Sequence, residues 1–118
     1  MKSILVTGGA GFIGSHFIAY LLEKYNDITL VNLDKLTYAA NLNYISKYET
    51  DSRYTFIEGD ICNETQVNDL FKLYQFDSVF HFAAESHVDN SINTPEIFLD
   101  TNIKGTFYLV HAAKTLWM

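Results

Sequence analysis

A glycine-rich turn near the start of the chain joins an apolar run to a helical pattern. Ile4-Leu5-Val6 is short and apolar, and residues 7–11 follow it as Thr-Gly-Gly-Ala-Gly. Beyond the turn, apolar residues recur at helical spacing, at Ile13, Phe17, Ile18, Leu21, Leu22 and Tyr25. A strand that passes through glycines directly into a helix predicts the first unit of an α/β domain.

The same alternation continues along the chain. Further strands are predicted at 28–33, 54–57 and 78–82, and further helices at 39–47, from Asn63 and from Thr94. Strands that are apolar on successive residues are typical of a parallel sheet covered on both faces. The pattern therefore predicts an α/β, Rossmann-like, doubly wound sheet of four parallel strands in the order 3-2-1-4, with helices on both faces.

Two of these helices have recognisable starts. Gln66 lies three residues after Asn63, the spacing of a capping box, and Pro95 follows Thr94 as a first-turn proline. The inner face of the Asn63 helix is predicted to carry Val67, Leu70, Phe71 and Tyr74. One side of the Thr94 helix is predicted to carry Leu99, Ile103, Phe107 and Val110.

The glycines fit a phosphate-binding spacing. Gly9, Gly11 and Gly14 fit G-x-G-x-x-G, and Gly8, Gly11 and Gly14 fit a three-residue repeat. At the start of a helix, unpaired backbone N–H groups and the helix dipole favour a pyrophosphate, and a side chain at Gly11 would block its approach. The alternative is a tight turn that needs a positive φ and binds no ligand.

Acidic residues follow the second and third strands. Asp34 lies twenty residues beyond Gly14. A carboxylate at this position can accept hydrogen bonds from both hydroxyls of an adenosine ribose and would repel a 2′-phosphate. This favours NAD over NADP, although Lys35 would soften the discrimination. Asp60 and Ile61 are placed to meet the adenine, and the alternative is that Asp60 serves as a loop or cap residue.

Composition excludes other classes of protein. The 118 residues carry a net charge of −6, which does not suggest a nucleic-acid surface, and no apolar run is long enough to cross a bilayer. Residues 1–6 do not resemble a secretory leader, and Cys62 is the single cysteine, so we expect a cytoplasmic protein without membrane partners. His81 and His87 lack the spacing of a metal pair, and Cys62 lacks a histidine constellation, so no metal site and no catalytic residue is predicted.

Four segments resemble a known family. Residues 7–15, 34–42, 81–89 and 101–106 are similar to the extended short-chain dehydrogenase/reductase family, and most closely to its nucleotide-sugar dehydratases. The resemblance implies bound NAD, dTDP-glucose as substrate, and no catalytic role for Glu85. Ser86 would also reach the sugar. The implied cofactor-binding residues are Gly8, Gly11, Phe12, Ile13, Gly14, Asp34, Lys35, Leu36, Thr37, Asp60, Ile61, Phe82, Ala83, Ala84, Glu85, Ser86 and Thr101.

The resemblance also implies a reaction that these residues do not complete. The sugar would be oxidised at C4, lose water across C5 and C6, and recover the hydride at C6, a net lyase reaction. The family's oxidising Tyr-x-x-x-Lys and its Thr-Asp-Glu acid and base would lie beyond residue 118. Tyr20 and Lys24 fit the first spacing, but they follow the glycine loop directly, so we attribute the match to chance.

We therefore interpret residues 1–118 as the N-terminal NAD-binding part of one domain, with later strands and a substrate domain absent from this sequence. The 118-residue chain is expected to be inactive alone. It is also expected to self-associate through the exposed edge of the fourth strand, or to form a homodimer through the Thr94 helix. Two alternatives are a stand-alone NAD-binding or sensing module and part of an NAD-dependent nucleotide-sugar epimerase.

Overall fold

The structure is a computed structural model that describes residues 2–35, 48–82 and 104–117. The described strands and helices follow one another in the order that the sequence predicts. The strands are β1 (Lys2–Thr7), β2 (Ile28–Asp34), β3 (Tyr54–Glu58) and β4 (Ser78–His81). The helices are α1 (Phe12–Lys24), α2 (Glu64–Tyr74) and α3 (Thr106–Trp117). The predicted helix at 39–47 and the predicted helix start at Thr94 lie outside the described residues.

The four strands form one parallel sheet in the order β3-β2-β1-β4, which confirms the predicted order. Ile4 of β1 lies opposite Leu30 of β2 and Ser78 of β4, and Leu30 lies opposite Tyr54 of β3. All three pairings are parallel, so the carboxyl ends of the strands lie along the same edge of the sheet.

Successive residues of the inner strands enter two different cores. Ile4, Val6 and Leu30 pack with α1 on one face of the sheet. Leu5 and Val31 pack with α2 and α3 on the other. The sheet is therefore covered by helices on both faces, as its continuous apolar strands predict.

The start of α2 differs in part from a capping box. The side chain of Asn63 accepts from the Gln66 amide at 3.1 Å, so the predicted cap is confirmed. The Gln66 side chain reaches the carbonyl of Glu58 at 3.5 Å, and the Asn63 amide donates to the carbonyl of Asp60 at 2.9 Å. In a capping box, the Gln66 side chain would accept from the Asn63 amide. Here the loop after β3 provides the acceptor for that amide instead.

The last helix packs with a different side from the one the pattern indicated. Leu109, Ala112 and Ala113 are buried, while Phe107 and Val110 are 61% and 62% exposed. Small residues allow α3 to lie close to α2, and the larger apolar pair is left facing outward. The C-terminal end of α3 is fixed by Trp117, whose indole N–H donates to the carbonyl of Phe76 at 2.7 Å.

No helix within the described ranges is both long and apolar enough to cross a membrane.

Candidate functional site

The glycine loop is fastened mainly to β2. Four consecutive backbone amides each donate a hydrogen bond: Gly8 to the Leu33 carbonyl at 3.0 Å, Gly9 to Asn32 Oδ1 at 2.9 Å, Ala10 to Asp34 Oδ2 at 2.8 Å, and Gly11 to the Gly8 carbonyl at 3.2 Å. Two of the four acceptors are side chains that project from the same face of β2. These four amides therefore stabilise the loop itself. A ligand would have to accept hydrogen bonds from amides that follow the loop in sequence.

Those donors lie in the first turn of α1. Gly11 caps the helix without a side-chain hydrogen bond, and within the described residues the amides of Phe12, Ile13 and Gly14 have no acceptor. The first amide bonded in helical fashion is that of Ser15, which donates to the Gly11 carbonyl at 2.9 Å. The Phe12 and Ile13 side chains are 68% and 67% exposed beside these amides. This turn can bind an anion, because unpaired N–H groups and the helix dipole point toward the same place.

The glycines of the motif serve different purposes. Gly8 has a φ of 74°, which favours glycine. A Cβ on Gly14 would overlap the Gly8 carbonyl oxygen and lie 2.9 Å from the Gly9 Cα, so Gly14 is required for helix and loop to pack. A Cβ on Gly11 would meet only the Gly8 carbonyl oxygen, at 3.4 Å, an ordinary contact. The protein itself has room for a side chain at Gly11, which fits space kept for a ligand.

Asp34 is buried at the point where β2 meets the loop. It is 7% exposed, and one of its oxygens accepts from Ala10. Beside it, the Lys35 ammonium lies 3.4 Å from a carboxylate oxygen of Asp60, and both side chains are partly exposed. Lys35, which was expected to reduce the discrimination against a 2′-phosphate, is therefore paired with Asp60.

The loop after β3 is organised around Asp60. Its side chain accepts from the Cys62 amide at 2.9 Å, and its carbonyl accepts from Asn63. The structural role considered for Asp60 is thus present, and an adenine contact remains a prediction. Ile61 is 3% exposed and lies beneath Gly105, so its side chain belongs to the core and does not present the apolar edge that we expected for adenine.

The end of β4 is tied to two other elements through a histidine. One imidazole nitrogen of His81 shares a hydrogen bond with the Thr7 hydroxyl at 2.6 Å, and the other shares one with the Thr106 hydroxyl at 2.9 Å. Burial lowers the pKa of His81 below its ordinary value of 6.5. The neutral ring has one N–H donor and one acceptor, and a hydroxyl can pair with either. Next along the chain, the Phe82 ring packs 5.4 Å from that of Phe17 on α1.

Several predicted site residues lie outside the described ranges, namely Leu36, Thr37, Ala83, Ala84, Glu85, Ser86 and Thr101. The structure brings Gly8, Gly11, Phe12, Ile13, Gly14, Asp34, Lys35, Asp60, Ile61 and Phe82 to the carboxyl edge of the sheet.

The sequence did not predict a role for Asn32 near this edge, nor for Tyr54, the first residue of β3, whose hydroxyl reaches Asn32. Asn32 is completely buried, and its amide nitrogen donates to the hydroxyl of Tyr54 at 3.0 Å. The available signal was an amide inside an otherwise apolar strand, two residues before Asp34. Strand residues two apart lie on the same face, so both side chains had to point toward the loop.

The Tyr-x-x-x-Lys match lies away from this edge. Lys24 donates to the Tyr20 hydroxyl at 2.7 Å on the exposed side of α1. This hydrogen bond raises the pKa of Lys24, with a smaller contribution from its charge interactions with Tyr20 and Tyr25. Tyr20 lies about 12 Å along the helix axis from the first turn. The pair is a surface contact between residues one helical turn apart.

The sheet order, the glycine loop and the open first turn of α1 define a class: this is a Rossmann-like fold of the kind that binds dinucleotides. A family model described as GDP-mannose 4,6 dehydratase matches residues 5–118. The chain belongs to that family, and the match extends over all the described elements from within β1 onward.

Individual relatives are dehydratases and epimerases of nucleotide sugars. The dTDP-glucose 4,6-dehydratase of Salmonella typhimurium is 48% identical over 114 residues, which cover 97% of this chain and 31% of that protein. The solved structure of DesIV, a dTDP-glucose 4,6-dehydratase from Streptomyces venezuelae with NAD and TYD bound, matches with a TM-score of 0.87 and 41% identity, over 98% of this chain and 36% of its own. A UDP-glucose 4-epimerase from Thermotoga maritima with UDP-glucose matches with a TM-score of 0.86 and 32% identity, over 99% and 35%.

This chain spans about a third of the length of the curated relatives that it matches. The resemblance to nucleotide-sugar dehydratases, drawn from short motifs, is confirmed by relatives that align with nearly all of it.

Proposed function

We propose that residues 1–118 form the N-terminal NAD-binding part of a dTDP-glucose 4,6-dehydratase. The observation that carries the proposal is the junction of β2 with the glycine loop. There, buried Asp34 lies beside a loop whose own amides are satisfied, next to a helix turn whose amides are open. This arrangement offers a carboxylate to a ribose and N–H donors to a diphosphate on one edge of the sheet.

The residues present fit this cofactor. The amides of Phe12, Ile13 and Gly14 would hold the diphosphate, with Gly11 giving it room. Asp34 would accept from the adenosine ribose. When bound, NAD would supply the acceptor that takes a hydride from the sugar and returns it. In this chain the described residues bind and orient the cofactor.

Calorimetric titration of the chain with NAD and with NADP tests the cofactor assignment. We expect NAD to bind more tightly, because a 2′-phosphate would approach the Asp34 carboxylate, and Lys35 is already paired with Asp60. Equal affinity for the two dinucleotides would contradict the assigned role of Asp34. Absence of binding to both would contradict the proposed function.

The proposed substrate of the whole protein is dTDP-glucose. Relatives at 47% to 48% identity are dTDP-glucose 4,6-dehydratases, and DesIV holds TYD together with NAD. The proposed whole-protein reaction converts dTDP-glucose to dTDP-4-keto-6-deoxyglucose. We expect no turnover by the 118-residue chain itself, because the oxidising tyrosine and lysine of the family would lie after residue 118. Product formation by the purified chain would contradict that expectation.

A nucleotide-sugar epimerase is the second candidate, favoured by the fold similarity to the Thermotoga maritima enzyme. Both candidates use the same NAD-binding edge, so NAD titration does not separate them. The identity is 32% for that epimerase and 48% for the Salmonella typhimurium dehydratase. Assay of the complete protein with dTDP-glucose and UDP-glucose separates them, because water is lost only in the dehydratase reaction.

We also propose that the chain pairs with a second copy. Two features support this: the exposed Phe107 and Val110 on one side of α3, and β4, whose only strand neighbour in the described sheet is β1. Light scattering by the chain and by its Phe107→Asp variant tests the helix route. We expect the variant to be smaller, and an unchanged size would favour pairing through β4. A monomeric wild-type chain would contradict both routes.

We also propose a cytoplasmic location, because the 118 residues contain a single cysteine and therefore no internal disulfide. Fractionation of cells that express the complete protein tests it. Recovery from an oxidising compartment would contradict it.

A further inference from the structure

A buried chain of hydrogen bonds runs from β3 through β2 to the glycine loop. The Tyr54 hydroxyl accepts from the Asn32 amide nitrogen at 3.0 Å, and Asn32 Oδ1 accepts from the Gly9 amide at 2.9 Å. Asn32 is 0% exposed and Tyr54 is 7% exposed, so water does not compete for these bonds. These two hydrogen bonds link β3 and β2 to the loop that precedes α1.

The orientation of the Asn32 amide is set by its partners. The Gly9 amide can only donate, so the Asn32 oxygen must face it, and the amide nitrogen must then face β3. At that position the Tyr54 hydroxyl accepts, which satisfies the nitrogen. Removing the hydroxyl would leave a buried N–H without its acceptor and would weaken the preference for this orientation.

Filling the core does not explain Asn32. Its strand neighbours Val31 and Leu33 are fully buried and apolar, and an aliphatic residue at position 32 would avoid burying an amide. Asn32 instead fits closely against the loop: a Cβ on Gly9 would overlap the Asn32 side chain. The loop glycine and the strand amide therefore match each other in shape and in hydrogen bonding.

We propose that Asn32 is a positioning residue for diphosphate binding, and that Tyr54 fixes its amide. Together they hold Gly9, while Asp34 holds Ala10, so that the next amides, those of the first turn of α1, are directed at the diphosphate before it arrives. This inference rests on the proposed function, because the diphosphate in question is that of the dinucleotide. Preorganised donors improve binding by reducing the ordering that a ligand must impose.

The test compares phosphate-bearing and phosphate-free ligands on two matched tyrosine variants. Tyr54→Phe removes only the hydroxyl that accepts from Asn32. Tyr74→Phe makes the same change in a half-buried tyrosine that stacks on Phe76 beneath the opposite face of the sheet. Binding of NAD, ADP and adenosine is followed by NMR titration, which covers weak affinities.

For Tyr54→Phe we expect NAD and ADP to bind about tenfold more weakly, the effect of losing one buried hydrogen bond, with adenosine binding unchanged. Tyr74→Phe should leave all three affinities unchanged. Asn32→Leu should show a larger loss for the two phosphate ligands if it folds. Equal losses for ADP and adenosine in Tyr54→Phe, or no loss, would overturn the proposal.

Amide hydrogen exchange in the unliganded chain separates this inference from the proposed function. We expect the Gly9 amide to exchange faster in Tyr54→Phe than in Tyr74→Phe, and the Ala10 amide, held by Asp34, to change less. If the wild-type chain binds no dinucleotide, the proposed function fails, and the diphosphate role of Asn32 fails with it. Faster Gly9 exchange would then still establish the loop contact, and unchanged exchange would overturn that as well.

Discussion

The two ends of the carboxyl edge of the sheet are built differently. Near β2, the loop lies against a strand in which six of seven residues are buried, and four consecutive amides of the loop donate hydrogen bonds. Near β4, all four strand residues are only half-buried, and the strand is joined to α3 by the hydrogen bond between His81 and Thr106. The first end is preformed from residues of neighbouring strands. At the second end, the edge strand is also connected to a helix through this hydrogen bond.

The two ends of this edge are therefore suited to different functions. A preformed loop suits the part of a dinucleotide that is the same in every turnover, the adenosine diphosphate. An edge strand that pairs with β1 alone among the described strands and is only half-buried is less constrained by its surroundings. We expect the largest effects from substitutions in the glycine loop and at the end of β2, and smaller effects at His81 and at the surface pair of Lys35 with Asp60.

The largest effect is expected at Gly14. Gly14→Ala should lower the free energy of unfolding by about 1–3 kcal/mol and abolish NAD binding, because the added methyl group meets the backbone of Gly8 and Gly9. Gly11→Ala is the matched control, since its methyl group has room. We expect it to keep the stability of the wild type and still weaken NAD binding. Urea unfolding measures the free energy of unfolding, and calorimetry measures the NAD affinity. Similar losses of stability in the two variants would contradict the different roles assigned to Gly14 and Gly11.

A comparable loss of stability is expected at Asp34. Asp34→Ala removes the acceptor of the Ala10 amide, and a buried donor left unsatisfied costs about 1–3 kcal/mol. NAD binding should also weaken through loss of the ribose contact. Asp34→Asn retains an acceptor and should recover part of the stability, while losing discrimination against NADP. Full NAD affinity in Asp34→Ala would show that the carboxylate does not touch the cofactor.

A smaller, pH-dependent effect is expected at His81. Because burial lowers the pKa of His81, the unfolded chain binds a proton more readily than the folded chain does. Stability is therefore retained above the ordinary value of 6.5 and declines as the pH falls from there through the lowered pKa. The melting temperature of the wild type should fall more than that of His81→Gln between about pH 7.5 and about pH 5.5. Parallel pH profiles would contradict this.

The smallest effect is expected at Lys35. Its contact with Asp60 is partly exposed, and such pairs contribute about 0–1 kcal/mol. Lys35→Met should change the free energy of unfolding by less than about 1 kcal/mol and leave NADP affinity nearly unchanged. A marked fall in NADP affinity would show that Lys35 leaves Asp60 to meet the 2′-phosphate.

The sequence predicted the arrangement of elements well, because burial on two faces leaves a continuous apolar run that few other structures share. It was less informative about side chains that act through other residues. Asp34 was predicted as a ribose contact, and its hydrogen bond with the Ala10 amide was not predicted, because that bond depends on how the loop folds back over β2. Ile61 was expected to present an apolar edge to adenine, but its side chain is buried against Gly105, more than forty residues later. Phe107 and Val110 fell on one side of a helix, and only the packing of α3 on α2 showed which side is outward.

The hydrogen bond from Trp117 to the Phe76 carbonyl provides a built-in optical reporter. Trp117 is the single tryptophan of the 118 residues, and it is about half exposed at the end of α3. Its fluorescence should therefore follow the docking of α3 beside β4 while remaining silent about the glycine loop. Emission that changes before amide exchange at Gly9 would reveal the looser end of the sheet opening first.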